Sequence, residues 1–160
     1  MKPVVYIETS IPSFYFETRS DVNAVVRRDC TRQWWAQRCG KYELVTSIAV
    51  LDELDSAPEP KRSQALEFLA NIPVLEFVEG VADIVQFYVD RKLMPRDPAG
   101  DALHLALASY HKCDFLLTWN CKNLANAEKF HHIRVLNSIL GLDVPVLATP
   151  EQLMGDDHES

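Results

Sequence analysis

Two rhythms of apolar and polar positions alternate along the chain. Short apolar runs at 4–8, 43–46, 74–78, 115–118 and 144–147 have the length of buried strands. Longer segments with helix signals separate them. Residues 9–16 lead into a short helix carrying Phe14, Tyr15 and Phe16. Asp21 is placed to cap a helix over 22–39, which Gly40 stops, and Ser47 to cap the helix holding Val50, Leu51 and Leu54. Pro58 and Pro60 end that helix, and Pro60 suits the first turn of the next, over 61–71. An amphipathic helix is predicted near 81–93. After the turn-rich stretch Pro95-Arg96-Asp97-Pro98-Ala99-Gly100, Asp101 opens a helix over 102–112 that is apolar on most sides and therefore buried. Two short helices, near 122–131 and 134–140, precede the last strand. Strand–helix alternation predicts an α/β domain with a mainly parallel sheet. It occupies residues 1–150, with a polar, flexible tail at 151–160. Such sheets place their sites outside the carboxyl ends of the strands, where strand order reverses. The polar residues just after strands are therefore the candidates for chemistry.

Composition narrows the class. A chain of 160 residues, 48% hydrophobic and 24% charged, suits one domain with a real core. No apolar run reaches the roughly 18 residues of a membrane span. The opening Met1-Lys2-Pro3-Val4-Val5-Tyr6-Ile7 reads as a first strand rather than a signal peptide, so a cytoplasmic location is expected. Cys30, Cys39, Cys113 and Cys121 form no C-x-x-C pair, which points to free thiols rather than a zinc framework. Net charge is −7, which opposes non-specific binding to nucleic acid but not an enzyme whose acids are offset by metal. Arg27, Arg28, Arg32, Arg38 and Lys41 make a local basic cluster, either a solvated helix face or a contact for an anionic substrate. The sequence has no P-loop, no G-x-G-x-x-G and no G-x-S-x-G, which removes support for nucleotide-dependent and serine-hydrolase readings.

Four polar groups, far apart in sequence, follow strands or open helices: Glu8 with Thr9 and Ser10, Glu53, Asp101, and Thr118 with Asn120. A parallel sheet would bring them to one rim. Carboxylates gathered in one cleft repel unless a cation intervenes, and oxygen-only ligands favour Mg²⁺ or Mn²⁺. Such an ion suits phosphodiester hydrolysis. Each residue also has a plainer explanation. Asp101 caps its helix; Glu53 is a solvated helix residue whose neighbours Asp52 and Asp55 offer the same group; Asp97 belongs to a turn. His104 shares a helix face with Asp101 at i,i+3 and could orient substrate, though a surface or hydrogen-bonded histidine is the stronger expectation. Trp119 is expected to pack under neighbouring helices. His131-His132 receives no role.

The segments Y-I-E-T-S at 6–10, V-L-D-E-L at 50–54, G-D-A-L-H-L-A-L-A at 100–108 and L-L-T-W-N at 116–120 together carry a resemblance. The chain resembles the PIN-domain family over about residues 3–148, in particular the VapC-like ribonuclease toxins of bacterial toxin–antitoxin pairs. The resemblance implies a three-layer α/β/α domain whose five-stranded sheet has order 3-2-1-4-5. It implies a Mg²⁺- or Mn²⁺-dependent endoribonuclease with an acidic quartet falling on Glu8, Glu53, Asp101 and Asn120. Thr118 matches the small hydroxyl residue that helps the site, and Thr9 and Ser10 match the polar pair after the first acid. It also implies RNA as substrate, a small antitoxin that inserts a segment into the cleft, and a homodimer. Two positions depart from the family, where Glu8 and Asn120 are usually aspartate. Glu8 is one methylene longer, and Asn120 removes one negative charge. The other expectations are a PIN fold with a weakened site serving protein contact, through the Trp34-Trp35 helix and the Phe14–Phe16 cluster, and a phosphoesterase of small phosphates.

Overall fold

In the computed structural model of the protein, residues 1–94 and 98–155 are described. The turn expected across 95–97, with Asp97 in it, and the end of the expected tail, 156–160, lie outside the described residues. The elements run β1 (Val4–Ile7), α1 (Ser10–Tyr15), α2 (Val22–Arg38), β2 (Glu43–Ser47), α3 (Ile48–Asp55), α4 (Lys61–Phe68), β3 (Val74–Leu75), α5 (Glu79–Asp90), α6 (Pro98–Tyr110), β4 (Phe115–Leu117), α7 (Ala127–Leu140) and β5 (Val146–Ala148). The five strands form one parallel sheet in the order β3-β2-β1-β4-β5, flanked by helices as a three-layer α/β/α fold. No helix among the described residues is long and apolar enough to cross a membrane.

The local chemistry explains most boundaries. Asp21 caps α2 by accepting from Ala24 N at 3.2 Å, and Ser47 caps α3 by accepting from Val50 N at 3.4 Å. Gly40 does not close α2 directly; it sits in a 3₁₀ turn, Cys39–Lys41, that follows the helix. The two short helices expected after β4 are one helix, α7. Asn126 starts it by accepting from Glu128 N, no breaker interrupts it at residues 132–133, and Gly141 ends it at φ 73. The third strand is shorter than expected, Val74–Leu75. It pairs only with Thr46 and Ser47, and beyond Ser47 its partner becomes α3. β5 begins at Val146 because Pro145 has no N–H to give the ladder. α6 starts at Pro98, so Asp101 lies in its first turn rather than capping it.

The core forms where helices cover the sheet. Val5, Tyr6, Ile7, Leu116 and Leu117 are fully buried between the layers, as parallel strands covered on both faces should be. α6 is buried almost all round, with Ala102, His104, Leu105, Ala106, Leu107, Ala108 and Ser109 all inaccessible or nearly so. Each aliphatic side chain hidden this way contributes roughly 1.5–3 kcal/mol. The Trp34-Trp35 and Phe14–Phe16 aromatics pack as core residues, the stronger expectation for them, rather than lining an open groove. Trp34 is fully buried, and Tyr15 and Trp35 meet Phe68 at ring separations of 4.4 and 4.3 Å.

Strand order positions the site. From β1 the chain builds outward through β2 and β3, then returns to β1's other side to place β4 and β5. The reversal falls between β1 and β4, whose register pairs Ile7 with Leu117. Glu8 and Thr118 are the next residues on these two strands, so both stand at the switch point.

Candidate active site

Glu8 is pinned at that switch point. Its carboxylate is only 6% exposed. One oxygen, Oε1, accepts from Ser10 N at 3.0 Å, from Thr118 Oγ1 at 2.7 Å and from Ser10 Oγ. Both hydroxyls also accept a backbone hydrogen from the chain leaving β4: Trp119 N to Ser10 Oγ at 2.8 Å, and Asn120 N to Thr118 Oγ1 at 2.9 Å. Ser10 and Thr118 therefore tie the first acid to the loop carrying Asn120. Each hydroxyl thus gives its one hydrogen to Glu8 and takes one from the backbone. Trp119 turns away from the rim, as expected: its ring lies 6.2 Å from Phe14, and its Nε1 donates to Thr31 at 2.8 Å.

Asp101 is held by two carboxamides. Asn120 Nδ2 donates to its Oδ1 at 2.9 Å, and Asn123 Nδ2 to its Oδ2 at 2.7 Å. The orientation of Asn120 follows from chemistry, since a carboxylate only accepts and Asn123 N, which donates to Asn120 Oδ1 at 3.0 Å, needs an acceptor. So Asn120 offers Asp101 its NH₂ and gives its carbonyl to the backbone. Asn123 was not singled out by sequence reasoning. The available signal was its spacing, three residues after Asn120 on the same turn. Its Oδ1 is buried and has no hydrogen-bond partner among the described residues, an orphaned acceptor beside the carboxylate.

Glu53 lies on α3 with its side chain 47% exposed. Its Oε1 accepts from Thr9 Oγ1 at 2.8 Å and from His104 Nε2. His104 is not a surface residue: it is 1% exposed, and its Nδ1 meets Tyr6 OH at 2.7 Å. Burial alone would pull the imidazole pKa down. The Glu53 hydrogen bond, reinforced by the charges of Glu8, Glu53 and Asp101, outweighs it and holds the pKa above the ordinary histidine value. Burial likewise works to raise Glu53, but its bonds to His104 and Thr9 keep it below the ordinary glutamate value. Burial pushes the Tyr6 hydroxyl well up, with help from Glu8 and Glu53. Of the three carboxylates, Glu53 meets the buried histidine directly.

The structure brings together Glu8, Thr9, Ser10, Glu53, Asp101, His104, Thr118 and Asn120, and adds Asn123, Tyr6 and Ser47. Of the basic cluster, Arg27 lies 5.2 Å from the Trp119 ring and 5.5 Å from that of Phe14. Arg32 bonds Tyr15 O at 2.8 Å, and Arg28 pairs with Asp29 at 3.1 Å. Arg27 thus packs against the Trp119 ring of the loop that follows β4. Among the described residues no three Asp, Glu, His or Cys side chains form a ready-made ion cage. The donor set still suits a hard cation, which keeps several waters and needs only one or two carboxylates. The orphaned Asn123 oxygen beside Asp101 is a further oxygen donor. The four cysteines are free and unclustered, as expected. Compared with known proteins, the chain matches no family model and no curated protein.

Proposed function

We propose that the chain is a Mg²⁺- or Mn²⁺-dependent endoribonuclease of the PIN type, acting as the toxin of a toxin–antitoxin pair. The observation that carries this reading is that Glu8 with Thr118, Glu53 with His104 and Asp101 with Asn120, each fixed by hydrogen bonds, gather at the switch point of a 3-2-1-4-5 parallel sheet. Glu8, Glu53 and Asp101 would hold the ion. When bound, it would supply a polarised phosphoryl oxygen and an acidified water. The protein's own share is preorganisation. Ser10 and Thr118 fix Glu8 in one rotamer, Asn120 and Asn123 fix Asp101, and Thr9 and His104 fix Glu53.

The test is RNA cleavage against metal concentration for the wild type and Asp101→Asn. The wild type should cleave in millimolar Mn²⁺ and stop in chelator. Asp101→Asn should lose at least about a hundredfold, beyond the 10–100-fold typical of residues that merely support a ligand. Its thermal unfolding should fall by several degrees, because the new amide can answer only one of the two carboxamides that grip Asp101, and cleavage is therefore compared per folded molecule. A wild-type protein that cleaves no RNA at any metal concentration overturns the reading.

A second reading is favoured by one observation. Both Asp101 oxygens are already answered by amide hydrogens, so the site is stable without a cation. A protein of this fold with a weakened site could serve contact with a partner. A small antitoxin reaching into the acidic rim with a basic side chain fits either reading. So does a second copy of the chain, since α7 and the edge strand β5 expose Phe130, Val135, Ile139 and Val146. Ile139→Glu should then lower the assembly to a monomer in sedimentation.

A further inference from the structure

We propose that His104 is a positioning residue: through a hydroxyl relay from Ser47 and Tyr6 it fixes Glu53 and so sets the affinity of the rim for a divalent cation. This deepens the metal-dependent reading above and rests on it.

Of the three acids, Glu53 most needs an external hold. Glu8 is buried and Asp101 is gripped by two amides, but Glu53 stands half in solvent on a two-turn helix. Free in water, such a side chain spreads over several rotamers. His104 comes from the most buried helix of the molecule, and its ring cannot wander. Its Nε2 faces Glu53 Oε1. A carboxylate only accepts, so Nε2 carries the hydrogen whether the ring is neutral or charged.

The other ring nitrogen is answered by a group that serves both states. Tyr6 OH lies 2.7 Å from Nδ1 and can donate to it or accept from it. Ser47 Oγ lies 2.7 Å from the same hydroxyl and can take the complementary role. Ser47 is also the residue that starts α3, accepting from Val50 N at 3.4 Å. The chain Ser47–Tyr6–His104–Glu53 therefore begins and ends on the same helix. It runs by way of β1 and α6, and its four members are drawn from positions 6, 47, 53 and 104. The backbone ladders that pair β1 with β2 and β4 do not pass through these side chains. What they fix is the one exposed carboxylate. Both hydrogen bonds to Glu53 fall on Oε1, which leaves Oε2 for a ligand.

The experiment compares wild type, Tyr6→Phe, His104→Ala and His104→Gln by Mn²⁺ titration calorimetry without RNA, and by kcat and KM for RNA cleavage. Tyr6→Phe keeps the ring and removes only the hydroxyl, so it remains informative if His104→Ala fails to fold. Tyr6→Phe and His104→Ala should weaken Mn²⁺ binding about tenfold and lower kcat with little change in KM. His104→Gln, whose amide can donate to Glu53 and accept from Tyr6, should recover most of the loss. A merely structural role would lower unfolding temperature alike in all three and leave the Mn²⁺ constant of the folded protein unmoved. Equal Mn²⁺ affinity across the set overturns the proposal. In metal-free protein labelled with ¹⁵N at histidine, His104 Nε2 should be protonated and protected from exchange, and the protection should drop in Glu53→Ala, which removes the acceptor. An unprotonated or unprotected Nε2 overturns the proposal even if the wild type binds no Mn²⁺. If Mn²⁺ affinity follows the expected order while no RNA is cleaved, the nuclease reading falls and the positioning role stands.

Discussion

Two buried hydrogen-bond networks, each built on a tyrosine, end in different ways. Between α5, α6 and α7, Tyr88 OH donates to Asn137 Oδ1, and Asn137 Nδ2 donates to Ser109 Oγ at 3.0 Å and to Asp143 O at 3.2 Å. Tyr88, Ser109 and Asn137 are all buried, and burial pushes the Tyr88 hydroxyl pKa up to about 12. Nothing in that network reaches solvent with a charge. The rim network starts the same way, from Tyr6 and Ser47, but runs out through His104 to a half-exposed carboxylate. A network closed on itself can only specify packing. One that delivers its polarity to an accessible acceptor prepares a place for something else. The two should fail differently when broken.

The largest effect is expected in the closed network. Asn137→Leu keeps the branched outline, with somewhat more bulk, but leaves the Tyr88 hydroxyl, the Ser109 hydroxyl and the Asp143 carbonyl short of a partner. The cost should be roughly 3 kcal/mol, read from the urea midpoint at constant slope. Mn²⁺ affinity and RNA cleavage per folded molecule should not change. A variant of normal stability with impaired cleavage would break the distinction between the two networks.

Next in size is Asn120→Asp, which acts on the open side. It places a carboxylate oxygen where an amide now sits 2.9 Å from Asp101 Oδ1. Two like charges at that distance demand a proton or a cation. In chelator the variant should lose about 1–3 kcal/mol of stability, the usual cost of an unanswered buried polar group. Mn²⁺ should restore it, with a larger rise in unfolding temperature than in wild type. Identical stability of variant and wild type in chelator would show that Asn120 does not hold Asp101 in solution.

The same contrast explains what the sequence disclosed. Glu8, Thr118 and Asp101 are legible because strand ends and helix starts in an alternating pattern converge by topology. The resemblance to PIN proteins named the sheet order that the structure has. Asn123 was hidden because its role depends on how the turn after β4 folds back, which no period records. Tyr6 was hidden inside an apolar strand, where a tyrosine reads as core; only pairing with Leu116 and closure by α6 show its hydroxyl aimed at His104. His104 was undervalued because i,i+3 spacing from Asp101 says which face it shares, not what covers that face. α6 is buried on nearly every side, so the histidine had to find partners inside. The length of β3 depended on where β2 turned into α3, a property of its neighbour.

The smallest expected effect is in how stability follows pH, and it separates the two networks without touching either tyrosine. Glu53 is held below its ordinary value of 4.5, so its contribution is present above that pH and lost as pH falls through the depressed value. His104 is held above its ordinary value of 6.5, so its contribution is present below that pH and lost as pH rises through the elevated value. Both are complete only between those ordinary values. The difference in unfolding temperature between wild type and Glu53→Gln should therefore peak in that window and shrink on either side, by a few degrees at most because Glu53 is half in water. For the pair Asn137→Leu and wild type no such window should exist, since Tyr88 stays protonated throughout. A flat difference for Glu53→Gln would mean that the carboxylate and the imidazole do not meet in solution, and the rim network would then be closed as well.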